Sequence, residues 1–178
     1  MNEPARRIVI TGFMGAGKST VAAALAERLG CAMLDLDRLV EEREGRSAEQ
    51  LIDEDGEGRF RRAETSALRH ALNASTARII ALGGGAWTIE GNRLLIEQHD
   101  AFTVWLDAPF ELCWERIAGG ENQRPLGRER ASARELYERR RAHYDRAILH
   151  LKVDKNSSPA ALAAEITAAL PQQSGEKR

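Results

Sequence analysis

Residues Gly12-Phe13-Met14-Gly15-Ala16-Gly17-Lys18-Ser19 fill every position of the pattern G-x-x-x-x-G-K-[ST]. Each fixed position has a task in holding the phosphates of a nucleoside triphosphate. Glycines let successive backbone N–H groups turn inward around phosphate oxygens. A lysine at position 18 reaches the β and γ phosphates, and the Ser19 hydroxyl can ligate Mg²⁺. The candidate nucleotide contacts are therefore Gly12, Gly15, Ala16, Gly17, Lys18, Ser19 and Thr20. The bland alternative is a glycine-rich turn carrying an incidental lysine.

A second group of residues suits the acceptor of a phosphoryl group. In Leu34-Asp35-Leu36-Asp37, read as the end of a strand, the two carboxylates point to one face. One can hold Mg²⁺ through water while the other meets an acceptor hydroxyl; Asp37 can equally cap the helix that follows. Arg61 and Glu64 are three residues apart and share a helical face. Arg140 falls on the apolar stripe of its helix with Leu136 and Tyr144, whereas Arg139 and Arg141 fall on more polar faces. An inward arginine needs an anion, and a carboxylate suits its planar fork. Internal pairing with the chain's many glutamates is the competing explanation for any one arginine. Gly83, Gly84 and Gly85 follow a strand directly, which suits a ligand lying against bare backbone.

These residues need a scaffold. Short apolar runs at 7–11, 32–35, 78–82, 101–106 and 149–153 alternate with helical segments, which predicts a parallel sheet with helices on both sides. The first helix follows Lys18 and stops at Gly30. Capping boxes are predicted at Ser47 with Gln50 and at Ser132 with Glu135, and Ser158-Pro159 marks a further helix start. Residues 37–74 hold too many helices for one crossover, so they form a helical acceptor-binding insertion. Residues 119–131, polar and punctuated by glycine, read as a lid carrying Arg124, and 171–178 as a frayed tail. The whole of 1–178 reads as one domain.

Composition narrows the class. The 26 basic and 27 acidic residues nearly cancel, so no bulk field draws nucleic acid or an anionic membrane. Cys31 and Cys113 sit in apolar surroundings and suit buried free thiols of a reducing cytoplasm. No run approaches membrane-spanning length. The four histidines, at 70, 99, 143 and 150, lack metal spacing and read as surface or packing residues. A cytoplasmic protein, monomeric because its lid and acceptor helices must move, is expected.

In this order, the chain resembles the shikimate kinase family from residue 7 to about 170. The residues that carry the likeness are 12–20, Asp35 with Asp37, Phe60-Arg61 with Glu64, Gly83–Gly85, Arg124-Pro125-Leu126, Arg140 and Val153-Asp154. The resemblance implies a three-layer α/β/α P-loop kinase fold with a five-stranded parallel sheet. It implies transfer of phosphate from ATP, with Mg²⁺, to the 3-hydroxyl of shikimate. Lys18 would neutralise phosphate charge, Ser19 and Asp35 would serve the metal, and Asp37 would act as base. Arg61 and Arg140, with Glu64 and Gly83–Gly85 around them, would hold the shikimate carboxylate and ring. Arg124 would descend with the lid, and Arg116 with residues 154–159 would enclose adenine. The chain departs from the family at Ile52, at Gly127 and in Arg141-Ala142-His143-Tyr144. The changes at Ile52 and Gly127 trim apolar contacts to the acceptor and predict a higher KM rather than a different reaction. A kinase for another small hydroxy acid such as gluconate, or for a nucleoside monophosphate, is the alternative within the class. A non-catalytic ligand sensor is the alternative outside it.

Overall fold

The structure, a computed structural model, describes residues 6–119 and 129–171. Arg124, the rest of 120–128 and the tail 172–178 lie outside the described residues. Strands β1 (Ile8–Thr11), β2 (Met33–Asp35), β3 (Ile79–Ala81), β4 (Phe102–Asp107) and β5 (Leu149–Lys152) form one sheet in the order β2-β3-β1-β4-β5. Every pairing is parallel, with Ile8 opposite both Ile79 and Phe102. Every residue of β1, β3 and β4 is buried. Side chains alternate across a strand, so complete burial requires cover on both faces. The half-exposed β2 and β5 are the two edges.

Helix α1 (Lys18–Leu29) leaves the loop after β1, packs along α8 (Pro159–Ala169) and rests on β3. Its C-terminus is closed by Gly30 at φ 60°, a left-handed turn that glycine adopts without strain. Between β2 and β3 run α2 (Leu36–Glu44), α3 (Ala48–Asp55) and α4 (Glu57–Ala74), the expected helical insertion. Beyond β3, a 3₁₀ turn (Ala86–Thr88) leads into α5 (Glu90–Gln98). Helices α6 (Phe110–Ala118) and α7 (Arg130–Tyr144) separate β4 from β5. Ile8, Ile10, Leu25, Leu68, Ile79, Ile80, Val104 and Ile166, all with zero exposure, join sheet and helices in one core.

The capping box at Ser47 and Gln50 is present, as is the Ser158 cap with proline at the first helical position. Three expectations are corrected. Helix α7 starts at Arg130, so Ser132 and Glu135 lie inside it and form no cap. Strand β2 ends at Asp35, and Asp37 belongs to the first turn of α2, so the two carboxylates do not share a strand face. Cys31 is half-buried, unlike the fully buried Cys113.

Candidate active site

The phosphate loop leaves the C-terminal end of β1 with positive φ at Gly12 (144°), Gly15 (78°) and Gly17 (95°). A Cβ on Gly12 would stand 2.8 Å from the Leu106 carbonyl oxygen, and one on Gly15 would stand 2.6 Å from that of Cys113. Both obstacles are backbone, so only glycine fits. Gly17 caps α1 without a side-chain hydrogen bond, leaving the first amides of the helix to serve an anion. The buried Lys18 Nζ donates to the Phe13 carbonyl at 2.9 Å across the loop. Arg116 Nη1 donates to the Gly15 carbonyl at 3.0 Å, which brings this residue to the rim of the loop. Ser19 and Thr20 are exposed at the helix start.

Ser19 Oγ donates to Asp35 Oδ2. The other Asp35 oxygen accepts from the backbone amides of Asp37, at 3.0 Å, and Arg38, making Asp35 the N-cap of α2. The capping duty weighed for Asp37 thus falls to Asp35, and the Asp37 carboxylate stands beside Gly83. A hydroxyl and a carboxylate at the foot of a phosphate loop are hard oxygen donors, the set that suits Mg²⁺.

Beside the loop lies a cleft of about 90 Å³ lined by residues of α2, α3, α4, α7 and the turn after β3. Each glycine of the triplet faces a different functional side chain. A Cβ on Gly83 would collide with Asp37 Oδ1 and lie 2.7 Å from Glu64 Oε1. One on Gly84 would lie 3.3 Å from Arg140 Nη1, and 3.2 Å from the Met14 amide of the phosphate loop. One on Gly85 would strike the Arg61 guanidinium. Asp37, Glu64, Arg140 and Arg61 therefore converge on one short stretch of bare backbone. The triplet joins the acceptor side to the nucleotide side.

The electrostatics are strained in a useful way. Arg61 Nη1 binds Glu64 Oε2 at 2.8 Å, and its Nη2 binds Glu57 at 3.1 Å. Burial pushes the Glu64 carboxyl above the usual carboxylate range; Arg61 opposes that rise and Asp37 adds to it. Glu64 Oε1 is buried and has no hydrogen-bond partner among the described residues. A buried acceptor left open in this way calls for a donor such as a hydroxyl group. Arg140 is 6% exposed, and burial lowers its proton affinity, partly offset by Tyr144 and reinforced by the like charge of Arg61. Two guanidiniums that share a cleft and repel each other form a seat for an anion.

Tyr144, and Met14 and Ala48 of the apolar lining, escaped the sequence reading of the acceptor cleft. The Tyr144 phenol, held protonated by burial, donates to the Gly84 carbonyl and accepts from Arg140. Its place four residues beyond Arg140 was the available signal. Met14, Ala48, Ile52 and Phe60 supply the cleft's apolar surface. Arg141, expected on a polar face, instead reaches Asp107 at the end of β4 at 2.7 Å. The loop after β5 is shaped by Asp154, whose carboxylate accepts from the Asn156 amide at 2.7 Å and from Ser157.

Known proteins share this arrangement. A family model described as shikimate kinase matches residues 14–171. The shikimate kinase of Ruegeria pomeroyi is 36% identical over 168 residues, covering 93% of this chain and 85% of that protein. That of Salinibacter ruber is 42% identical over 120 residues, which span 67% of this chain and 58% of the relative's own length. The solved shikimate kinase of Acinetobacter baumannii, in complex with shikimate, superposes with a TM-score of 0.81 at 32% identity, over 91% of this chain and 90% of that one. A family match covering nearly all the described residues, together with relatives aligned along most of their own length, makes this chain a member of the shikimate kinase family.

Proposed function

We propose that this protein transfers the γ-phosphoryl group of ATP to the 3-hydroxyl of shikimate, giving shikimate 3-phosphate and ADP. The observation that carries this reading is the meeting of Arg61 and Arg140 with Asp37 and Glu64 in one cleft beside the phosphate loop. The arginines suit the acceptor's carboxylate, and the open Glu64 oxygen suits one of its hydroxyls. A nucleoside monophosphate would offer the cleft no carboxylate.

Phosphoryl transfer passes through a loose transition state, so placement and charge neutralisation supply most of the acceleration. The loop amides and Lys18 hold the triphosphate. Asp37 takes the proton of the 3-hydroxyl as the new oxygen–phosphorus bond forms and the bond to ADP breaks. Mg²⁺ at Ser19 and Asp35 would supply countercharge to the β and γ phosphates. Arg124, carried by the segment 119–131, would neutralise charge on the group in transfer. Arg116 and the loop at 154–159 would hold adenine. We further assign a cytoplasmic monomer: both cysteines are free, and among the described residues no helix is long and apolar enough to cross a membrane.

The test is an ADP-release assay with shikimate, gluconate and nucleoside monophosphates as acceptors, with and without Mg²⁺. Turnover with shikimate that requires the metal supports the reading. Preference for another acceptor, or tight binding of shikimate without turnover, overturns it.

A further inference from the structure

A cavity of about 440 Å³ opens at the other end of the sheet, where β4 begins, and the kinase mechanism makes no use of it. That volume falls within the range of small-molecule sites. Trp87, Arg93, Leu94, Arg146 and Ile148 line it. Leu94 and Ile148, the exposed large hydrophobic side chains among the described residues, are 51% and 58% exposed and both belong to this cavity. Apolar surface is thus gathered in one hollow instead of scattered.

Its polar wall sets Arg6, Arg93 and Arg146 against Glu90, Glu97 and Asp100. Arg6 is satisfied by Asp100 at 2.9 Å, but neither Arg93 nor Arg146 forms an ion pair among the described residues. Burial and then the charge of Arg146 depress the proton affinity of Arg93, while Glu90 acts weakly the other way. Burial, Arg93 and Arg146 likewise depress His143, whose Nδ1 is buried without a partner among the described residues. Glu97 completes the acidic side of the lining. Guanidiniums that repel each other are relieved by an anion, and a carboxylate matches their fork.

The same residues touch both walls of the acceptor cleft. Arg93 Nη1 donates to the Trp87 carbonyl at 2.7 Å. Trp87 lies in the 3₁₀ turn directly after Gly85, and its indole Nε1 donates to the His143 carbonyl at 2.8 Å. His143 is three residues beyond Arg140 on α7. A ligand drawing on Arg93 competes with the bond that seats this turn.

We propose that this cavity binds a small organic carboxylate, its apolar body on Leu94 and Ile148 and its charge on Arg93 and Arg146, and that its occupancy weakens acceptor binding through Trp87. The binding half stands on the cavity alone; the coupling half rests on the shikimate kinase reading. The probe is 3-phenylpropionate, titrated calorimetrically into the full chain, with 3-phenyl-1-propanol as its uncharged counterpart. Wild-type protein should bind the acid and not the alcohol, and Arg146→Gln and Arg93→Gln should each weaken binding about tenfold or more. Saturating probe should raise the KM for shikimate about fivefold, the low end of ordinary couplings. Equal affinity in Arg146→Gln, or complete displacement of the probe by shikimate beyond the fivefold weakening that reciprocity allows, would overturn the site. Arginine-dependent binding with an unchanged KM overturns the coupling. Arginine-dependent binding without any shikimate turnover leaves the site standing and defeats the functional reading instead.

Discussion

Gly85→Ala separates the acceptor clamp from the fold. Gly85 has φ −105°, which alanine adopts freely, and losing a glycine from the unfolded chain contributes about 0.4–1 kcal/mol of stability. The new Cβ would lie 2.5 Å from Arg61 Nη1 and 2.6 Å from its Cζ. Ordinary carbon contacts begin near 3.5 Å, so the guanidinium must retreat by about 1 Å. It is the far end of a flexible side chain, so the fold yields easily. A shift of about 1 Å takes an ordinary hydrogen bond out of range. Losing one charge-assisted bond to the acceptor carboxylate costs about 1.5–3 kcal/mol, which is roughly a 10- to 150-fold rise in KM. Turnover at saturating shikimate and the KM for ATP should change little, because the interaction is made equally in ground and transition states. The assay is coupled ADP release with shikimate titrated at saturating ATP, beside a thermal melt. Gly91→Ala, with nothing within 4 Å of its added Cβ, is the control. A folded Gly85→Ala enzyme whose KM for shikimate stays within twofold of wild type would refute the assignment of Arg61.

Other substitutions probe other parts of the site. Asp37→Asn should lower kcat by about 10²–10⁴. Arg124→Ala should lower it at least as far, by about 10³–10⁵, and near-normal turnover would remove Arg124 from the transfer step. Asp107 is held below its usual pKa because hydrogen bonds from Lys152 and Arg141 outweigh the opposing effect of burial. A depressed carboxylate stabilises the folded state above its unfolded pKa near 3.8 and loses that contribution as pH falls below it. Asp107→Asn should therefore lower Tm at pH 7 by several degrees, on a loss of about 1.5–3 kcal/mol, with the gap to wild type closing as pH falls below 3.8 and through the lower folded-state pKa. A gap that persists in acid would trace the loss to packing. Burial pushes the Cys113 thiol up to about 11, so at pH 8 a thiol reagent should modify Cys31 first and reach Cys113 only on unfolding. Equal rates for both in the native protein would contradict its buried position.

What the sequence reveals and what it hides follow from the range of the forces involved. The phosphate loop is legible because its glycines answer to local backbone geometry, and the Ser47 and Ser158 caps because they bond within a turn. The inward Arg140 is legible from helical period alone. Ser132 and Glu135 mislead because their spacing also occurs inside a helix, and α7 starts nearly a turn earlier, at Arg130. Asp35 takes the capping role from Asp37 because β2 ends at Asp35, two residues before the strand end read at Asp37. The pairing of Gly85 with Arg61 and the reach of Arg141 to Asp107 join residues 24 and 34 positions apart, so no local pattern announces them. The cavity at Arg93 and Arg146 is hidden for the same reason: its wall is assembled from distant stretches of chain.

Asp35 accepts on one oxygen from the Ser19 hydroxyl at the foot of the phosphate loop and on the other from the backbone amides of Asp37 and Arg38. It is therefore a rigid pin shared by two chambers. In the proposed reaction, a cation drawing on one oxygen would pull on the peptide that carries Asp37, two residues away. On those assignments, cargo on the nucleotide side would be felt on the acceptor side through a single side chain.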